Sequence, residues 1–132
     1  MADLDDLAAA AVALPEVTEG VQYRGRAWSV GGKAFAWERA FSKADLKRFG
    51  DEPVPQGPIA AIRTQDLGEK EAILAGHEAF FTIPHFDGYA AVLVRLEAMP
   101  VEVLREAVLD GWLACAPGPL AEEYLARPVR DL

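Results

Sequence analysis

Residues 23–38 read Tyr-Arg-Gly-Arg-Ala-Trp-Ser-Val-Gly-Gly-Lys-Ala-Phe-Ala-Trp-Glu, and this stretch decides the fold. Two runs of residues that favour β-strands flank the pair Gly31-Gly32. A Gly-Gly pair readily adopts the positive φ angles that a two-residue hairpin turn needs. The stretch therefore predicts a β-hairpin whose loop consists of Gly31 and Gly32.

A two-residue loop also fixes which residues of the hairpin lie opposite each other. Three cross-strand pairs result: Val30 with Lys33, Trp28 with Phe35, and Arg26 with Trp37. Because side chains alternate along a strand, these six residues share one face. The opposite face then carries only small residues: Ala27, Ser29, Ala34 and Ala36. We predict that Trp28 and Phe35 belong to the core and that Arg26 and Trp37 lie at its margin.

The composition is that of one soluble domain. The chain has 132 residues, of which 52% are hydrophobic and 26% charged, as in ordinary globular proteins. The longest apolar run, Leu7 to Leu14, is too short to span a bilayer and lacks the basic start of a signal peptide. The lone Cys115 cannot form an internal disulfide. We therefore expect a cytoplasmic protein without a membrane partner.

The net charge of −8 is unevenly distributed along the chain. Residues 1–21 carry five acids and no bases, whereas residues 22–70 carry nine bases and six acids. An acidic protein is repelled by the phosphate backbone of nucleic acids. The basic section nevertheless allows a local surface that binds anions.

Helix and strand signals follow one another on both sides of the hairpin. An acidic first turn opens an N-terminal helix, and Pro15 ends it, leaving a connector up to Gly20. Later helix starts are predicted from capping residues at Ser42, with Asp45, and at Asp66, with Glu69. The remaining predicted elements are a short helix ending at Gly50 with Leu46 and Phe49 inward, a proline-rich loop from Asp51 to Pro58, strands from Ile59 to Arg63, Ala79 to Ile83 and Tyr89 to Glu97, a long helix from Pro100 and a last short helix from Leu120 to Ala126.

This order predicts an α+β fold. We expect residues 1–132 to form one domain with a mainly antiparallel sheet of about five strands, and with the N- and C-terminal helices packed on one face.

Two sequence segments resemble the MmcQ/YjbR family. They are the connector Leu14-Pro15-Glu16-Val17-Thr18-Glu19 and the hairpin strand Gly32-Lys33-Ala34-Phe35-Ala36, and the ending of two strands and a helix is also similar. The resemblance covers nearly the whole chain. It implies a small bacterial protein of α+β fold, related in shape to frataxin-like and secretion-chaperone-like domains. The family has no established reaction, and DNA binding through two β-hairpin wings has been proposed for some members.

The chain departs from this pattern in the turn before its last strand. Typical members carry lysines there, whereas this chain has His85-Phe86-Asp87-Gly88. One of the basic wings is therefore missing, and the resemblance supplies no catalytic residue.

The candidate ligand-binding residues are cations and one aromatic residue on or just after the hairpin. They are Arg24, Arg26, Lys33, Trp37, Arg39, Lys43, Lys47 and Arg48. Together with Trp28 they can bind a nucleic acid, a nucleotide or another anion by charge and stacking. The alternative interpretation is a solvated rim whose long side chains cover the aromatic edges, which is the usual role of surface cations.

Other chemistry has less support in the sequence. His77, His85 and Asp87 are the sensible metal ligands, but a zinc site needs three or four ligands held together, and we expect no metal and no cofactor. Cys115 lies near apolar residues, where a free cysteine is commonly a buried hydrophobe. We therefore predict a non-enzymatic binding module. The alternatives are a protein–protein interaction module that binds a partner or itself and, with less support, a small-metabolite binder or enzyme that uses His77 and His85.

Overall fold

One antiparallel sheet organises the chain. The structure is a computed structural model that describes residues 2–22, 25–55 and 57–126. Within these residues the sheet has six strands in the order β1-β2-β3-β4-β6-β5, and all neighbours are antiparallel. The strands are β1 (Thr18–Gln22), β2 (Gly25–Val30), β3 (Lys33–Glu38), β4 (Ile59–Arg63), β5 (Phe80–Phe81) and β6 (Ala91–Arg95). The sixth strand is β1, which begins inside the predicted connector and pairs along β2.

Five α-helices accompany the sheet in the described part of the chain. They are α1 (Leu4–Val12), α2 (Lys43–Phe49), α3 (Leu67–Gly76), α4 (Val101–Cys115) and α5 (Gly118–Leu125). The side chains of Ser42 and Asp66 cap α2 and α3 as predicted, and Asp45 completes the capping box at α2. The predicted α+β fold is therefore confirmed, with six strands instead of about five.

Three predicted details of these elements were wrong. Leu46 is exposed, because α2 turns Asp45 and Phe49 towards the protein instead. The two strands predicted around the turn at residues 84–88 are shorter in the structure. A short 3-10 helix, Pro84–Phe86, occupies the turn, and another, Leu96–Ala98, ends the last strand early.

The main core lies between the sheet and the terminal helices. Trp28, Phe35 and Trp112 are fully buried there, and α1, α4 and α5 all contribute apolar side chains to the same cluster. Trp112 on α4 also donates a hydrogen bond from Nε1 to the carbonyl oxygen of Pro15, at 3.1 Å. The prediction that Trp28 and Phe35 belong to the core is confirmed.

A β-bulge in the hairpin changes the predicted register. Gly31 and Gly32 have φ angles of 58° and 80°, and Val30 pairs with Lys33, both as predicted. Ser29 then pairs with Ala34, but Trp28 pairs with Ala36, so Phe35 is an extra residue in β3. One extra residue reverses the alternation of faces beyond it.

The predicted pairs Trp28–Phe35 and Arg26–Trp37 are therefore wrong. Trp37 pairs with Ala27 and lies on the opposite face of the sheet from Trp28. This second face is not smooth, because Trp37 takes part in a separate hydrophobic cluster. That cluster also includes Phe86 from the 3-10 helix and is covered by Phe41 and Phe49 from the segment around α2.

Gly111 sets how closely α4 approaches the sheet. A Cβ atom at this position would lie 2.8 Å from Cγ2 of Ile62. It would also lie 3.1 Å and 3.2 Å from the carbonyl oxygens of Phe35 and Arg63. Two of these three contacts are with backbone of the sheet, which cannot rotate away as a flexible side chain can.

We expect Gly111→Ala to lower the free energy of unfolding by about 1–3 kcal/mol, as overpacked cores do, although alanine favours helices. Gly76→Ala at the end of α3 is the matched control, because a Cβ atom there meets nothing within 4 Å. Urea denaturation of both variants measures the difference. A Gly111→Ala protein as stable as the control would show that the helix can move away from the sheet at little cost.

Candidate functional site

An open cleft of about 780 Å³ lies on the second face of the sheet. We call it the α2 cleft. Three parts of the chain form it: the start of β2 with the end of β3 and the segment that leads into α2, the α2 helix itself, and the 3-10 helix with Tyr89 shortly after it. Its lining consists of Gly25, Trp37, Glu38, Arg39, Ala40, Phe41, Ser42, Ala44, Asp45, Arg48, His85, Phe86 and Tyr89.

Aromatic rings form one wall of the α2 cleft. The ring centroids of Trp37 and Tyr89 are 6.5 Å apart, and those of Phe86 and Tyr89 are 5.5 Å apart. Trp37 is 6% exposed and belongs to the hydrophobic cluster of the second face, whereas Tyr89 is 40% exposed. The guanidinium of Arg63 lies 5.3 Å from the centroid of the Tyr89 ring. Tyr89 is therefore the part of this wall that a flat ligand can contact most directly.

A buried carboxylate joins the two arginines of the cleft. Asp45 accepts a hydrogen bond from the Ser42 backbone N–H at 2.9 Å and pairs with Arg39 at 3.0 Å. Arg48 lies 3.7 Å from the other carboxylate oxygen. Burial raises the pKa of Asp45, but the hydrogen bonds from Ser42 and the charge of Arg39 outweigh burial, so that its pKa lies below the usual value. Asp45 is therefore ionised at neutral pH and positions both guanidinium groups.

A second carboxylate lies where β2 and β3 meet the cleft. Glu38 accepts a hydrogen bond at Oε1 from the backbone N–H of Arg26, at 3.2 Å. A Cβ atom on residue 25 would come within 3.1 Å of the same oxygen, so the glycine at this position leaves room for the carboxylate. The two arginines and two carboxylates of the lining balance each other in formal charge.

Lys70 supports the cleft from behind. This residue of α3 is buried, and its ammonium group donates hydrogen bonds to the carbonyl oxygens of Phe86 at 2.7 Å and Tyr89 at 2.8 Å. Burial lowers the pKa of Lys70, and the nearby charge of Asp87 opposes this shift. Lys70 thus fixes the backbone on which His85, Phe86 and Tyr89 stand.

The structure brings together three of the eight candidate residues: Trp37, Arg39 and Arg48. Four others do not line the cleft. Arg26 pairs with Asp5 and Glu19 on the other face of the sheet, while Lys33, Lys43 and Lys47 are exposed elsewhere. The remaining candidate, Arg24, lies outside the described residues.

Four residues of this region were not predicted from the sequence to belong to a site: Asp45, Phe86, Tyr89 and Lys70. His85, considered from the sequence as a metal ligand and as part of a small-metabolite or enzyme site, lines the α2 cleft. The capping box was the one signal that drew attention to Asp45, and it did not indicate the pairing with arginines.

The histidines occupy different places. His77 lines a smaller cleft of about 280 Å³ between α3 and α4 together with Glu106 and Asp110, and its Nδ1 accepts a hydrogen bond from the Ala79 N–H at 3.0 Å. Among the described residues, no group of three or more histidine, cysteine or acidic side chains is arranged to hold a metal ion.

Cys115 is buried beside β3. Burial raises the pKa of its thiol, and the charges of Arg63 and Lys33 oppose this shift without reversing it. The thiolate that a nucleophile requires is therefore disfavoured at this position.

No helix in the described ranges combines the length and the apolar character needed to cross a membrane.

Comparison with known proteins places this chain in a family. The chain is 43% identical over 130 residues to uncharacterised proteins of Mycobacterium tuberculosis and Mycobacterium bovis, covering 96% of this chain and 98% of theirs. A crystal structure of a Deinococcus radiodurans protein with a DUF419 domain shares the fold at 17% identity, with a TM-score of 0.62 over 97% of this chain and 91% of that one. The YjbR family model matches residues 12–114. The family resemblance noted in the sequence is thus confirmed, and the chain belongs to the YjbR family.

Proposed function

We propose that the chain is a cytoplasmic binding module that holds an anionic ligand, a nucleic acid or a nucleotide, in the α2 cleft. One observation carries the proposal: Arg39 and Arg48 converge with Trp37 and Tyr89 around the same concave surface. The four described candidate cations outside the cleft are consistent with a solvated rim, whereas these two arginines share one surface with aromatic rings. Aromatic stacking combined with a positive charge is the chemistry by which proteins bind bases next to phosphates.

Duplex DNA fits this site poorly. The net charge of −8 repels a polyanion, and the turn at residues 85–88 supplies no lysine to the sugar–phosphate backbone. The cleft is also concave and aromatic, whereas contacts to a duplex backbone come mostly from exposed cations and backbone N–H groups. The proposal is therefore restricted to ligands whose base or other flat group is free to enter the cleft.

The test compares Arg48→Gln with Lys47→Gln. These neighbours on α2 carry the same charge, but only Arg48 lines the cleft. Single-stranded and duplex oligonucleotides and mononucleotides are titrated against both variants and the unmodified protein at low and moderate salt. We expect Arg48→Gln to weaken binding about tenfold, because it removes one hydrogen bond to a charged group. Lys47→Gln should change the affinity less than about twofold.

Two results would contradict the proposal. The absence of binding by any of these anions at low salt would leave protein–protein interaction as the better supported function. Equal losses in the two variants would show that binding depends on general charge and not on the α2 cleft.

A further inference from the structure

The α2 cleft offers a ligand little net positive charge. The Arg39 side chain is 15% exposed and is occupied by Asp45 and by the carbonyl oxygen of Ala40. The Asp45 side chain is 1% exposed, and its negative charge pairs with the two arginines. Arg48 is 48% exposed and lies farther from Asp45, at 3.7 Å. Among the described residues that line the cleft, one guanidinium is therefore available, which suits one phosphate group.

Glu38 brings a negative charge to the cleft, so it requires a different kind of ligand group from the one that Arg48 binds. Its carboxylate lines the cleft and accepts one hydrogen bond from the Arg26 backbone, which leaves further acceptor capacity. A ligand group placed there must donate, as a sugar hydroxyl or the amino group of a base does. A second phosphate near Glu38 would instead be repelled by its charge.

The described cations around the cleft do not form a groove that could follow a nucleic acid strand. Lys43 and Lys47 share α2 with Arg48 but do not line the cleft, and Lys33 lies at the hairpin turn. Proteins that hold single strands use a positively charged groove that follows several phosphates. A volume of about 780 Å³ with an aromatic wall lies in the range of small-molecule sites.

From these three features, and resting on the proposed function, we infer that the α2 cleft binds a single nucleoside monophosphate and not a nucleic acid strand. The base contacts Tyr89, the phosphate pairs with Arg48, and a hydroxyl or amino group of the nucleoside donates to Glu38.

The experiment measures binding of five probes by calorimetry: adenosine monophosphate, cytidine monophosphate, adenosine, inorganic phosphate and a short single-stranded oligonucleotide. We expect at least one monophosphate to bind about tenfold or more tightly than adenosine or phosphate alone, since each of these lacks one of the anchoring contacts. Arg48→Gln should reduce that affinity to about the level of the nucleoside. Glu38→Gln should weaken binding several-fold, whereas Lys47→Gln should leave it unchanged.

Salt dependence separates this inference from the proposed function. Strand binding falls with salt with a slope of about −0.7 for each phosphate neutralised, whereas a mononucleotide carries no condensed counterions to release. If the oligonucleotide binds far more tightly than any monophosphate, with a steep salt slope and with loss in Arg48→Gln, this inference fails and the proposed function stands. If none of the anionic probes binds, both fail. Thermal unfolding of each variant verifies that the fold is retained.

Discussion

Trp28→Ala is expected to lower the free energy of unfolding by about 3–5 kcal/mol, as large-to-small changes of buried aromatic residues do. Trp28 is fully buried in the main core between the sheet and the terminal helices. Its Nε1 also donates a hydrogen bond of 2.9 Å to Glu19 on β1, and the guanidinium of Arg26 lies 5.2 Å from its ring centroid. The substitution therefore removes core volume and a link to the edge strand together. Urea or guanidinium denaturation measures the loss.

Two variants make this result interpretable. Ser29→Ala, at the next residue of the same strand, should change stability by about 0.5 kcal/mol or less, because Ser29 is not in the core. Trp28→Phe keeps most of the buried ring but loses the hydrogen bond to Glu19, so its loss should be intermediate. Equal and small effects for Trp28→Ala and Ser29→Ala would mean that the faces of the hairpin are assigned wrongly.

Features fixed by neighbouring residues could be predicted from the sequence. The caps at Ser42 and Asp66 involve side chains that bond to the backbone three residues away, so the signal lies within one turn. The turn at Gly31-Gly32 depends only on two φ angles. The element types and the α+β class follow from such local signals and from the hydrophobic periods between them.

The register of the hairpin could not be predicted in the same way. No single residue predicts the bulge at Phe35. Because of this bulge, Trp37 faces the α2 cleft and not the main core. Strand β1 was missed for a related reason. Its residues are mostly exposed and polar, so it shows no alternation of apolar and polar positions, and its pairing with β2 becomes visible only in the fold.

The candidate site was predictable only in part, because it is built from contacts between distant residues. The cluster of cations after the hairpin drew attention to Arg39 and Arg48, and both residues line the α2 cleft. Tyr89 and Phe86 come from a turn far along the chain, and the sequence gives no sign that this turn reaches the segment before α2. Lys70 is 16 residues from Phe86 and resembles any other surface lysine in the sequence.

Lys70→Met is also expected to have a large effect, lowering the free energy of unfolding by about 2–5 kcal/mol. Methionine has a similar length but removes two hydrogen bonds from a charged donor, each of which contributes about 1.5–3 kcal/mol. The carbonyl oxygens of Phe86 and Tyr89 keep their hydrogen bonds from the backbone N–H groups of Tyr89 and Ala91. Part of this cost is offset, because burial of the Lys70 charge, which lowers its pKa, is itself unfavourable.

The control is Lys47→Met, which removes the same charge from an exposed position on α2 and should change stability by about 0.5 kcal/mol or less. Denaturation curves compare the two variants. Tyr89 fluorescence cannot be isolated beside three tryptophans, so amide hydrogen exchange at residues 85–89 reports on the turn directly. Exchange there should speed up in Lys70→Met and stay unchanged in Lys47→Met. If Lys70→Met is as stable as the control and its turn exchanges no faster, the ammonium group does not hold the turn. The aromatic wall of the α2 cleft would then be held by ring packing and by the backbone hydrogen bonds of the turn.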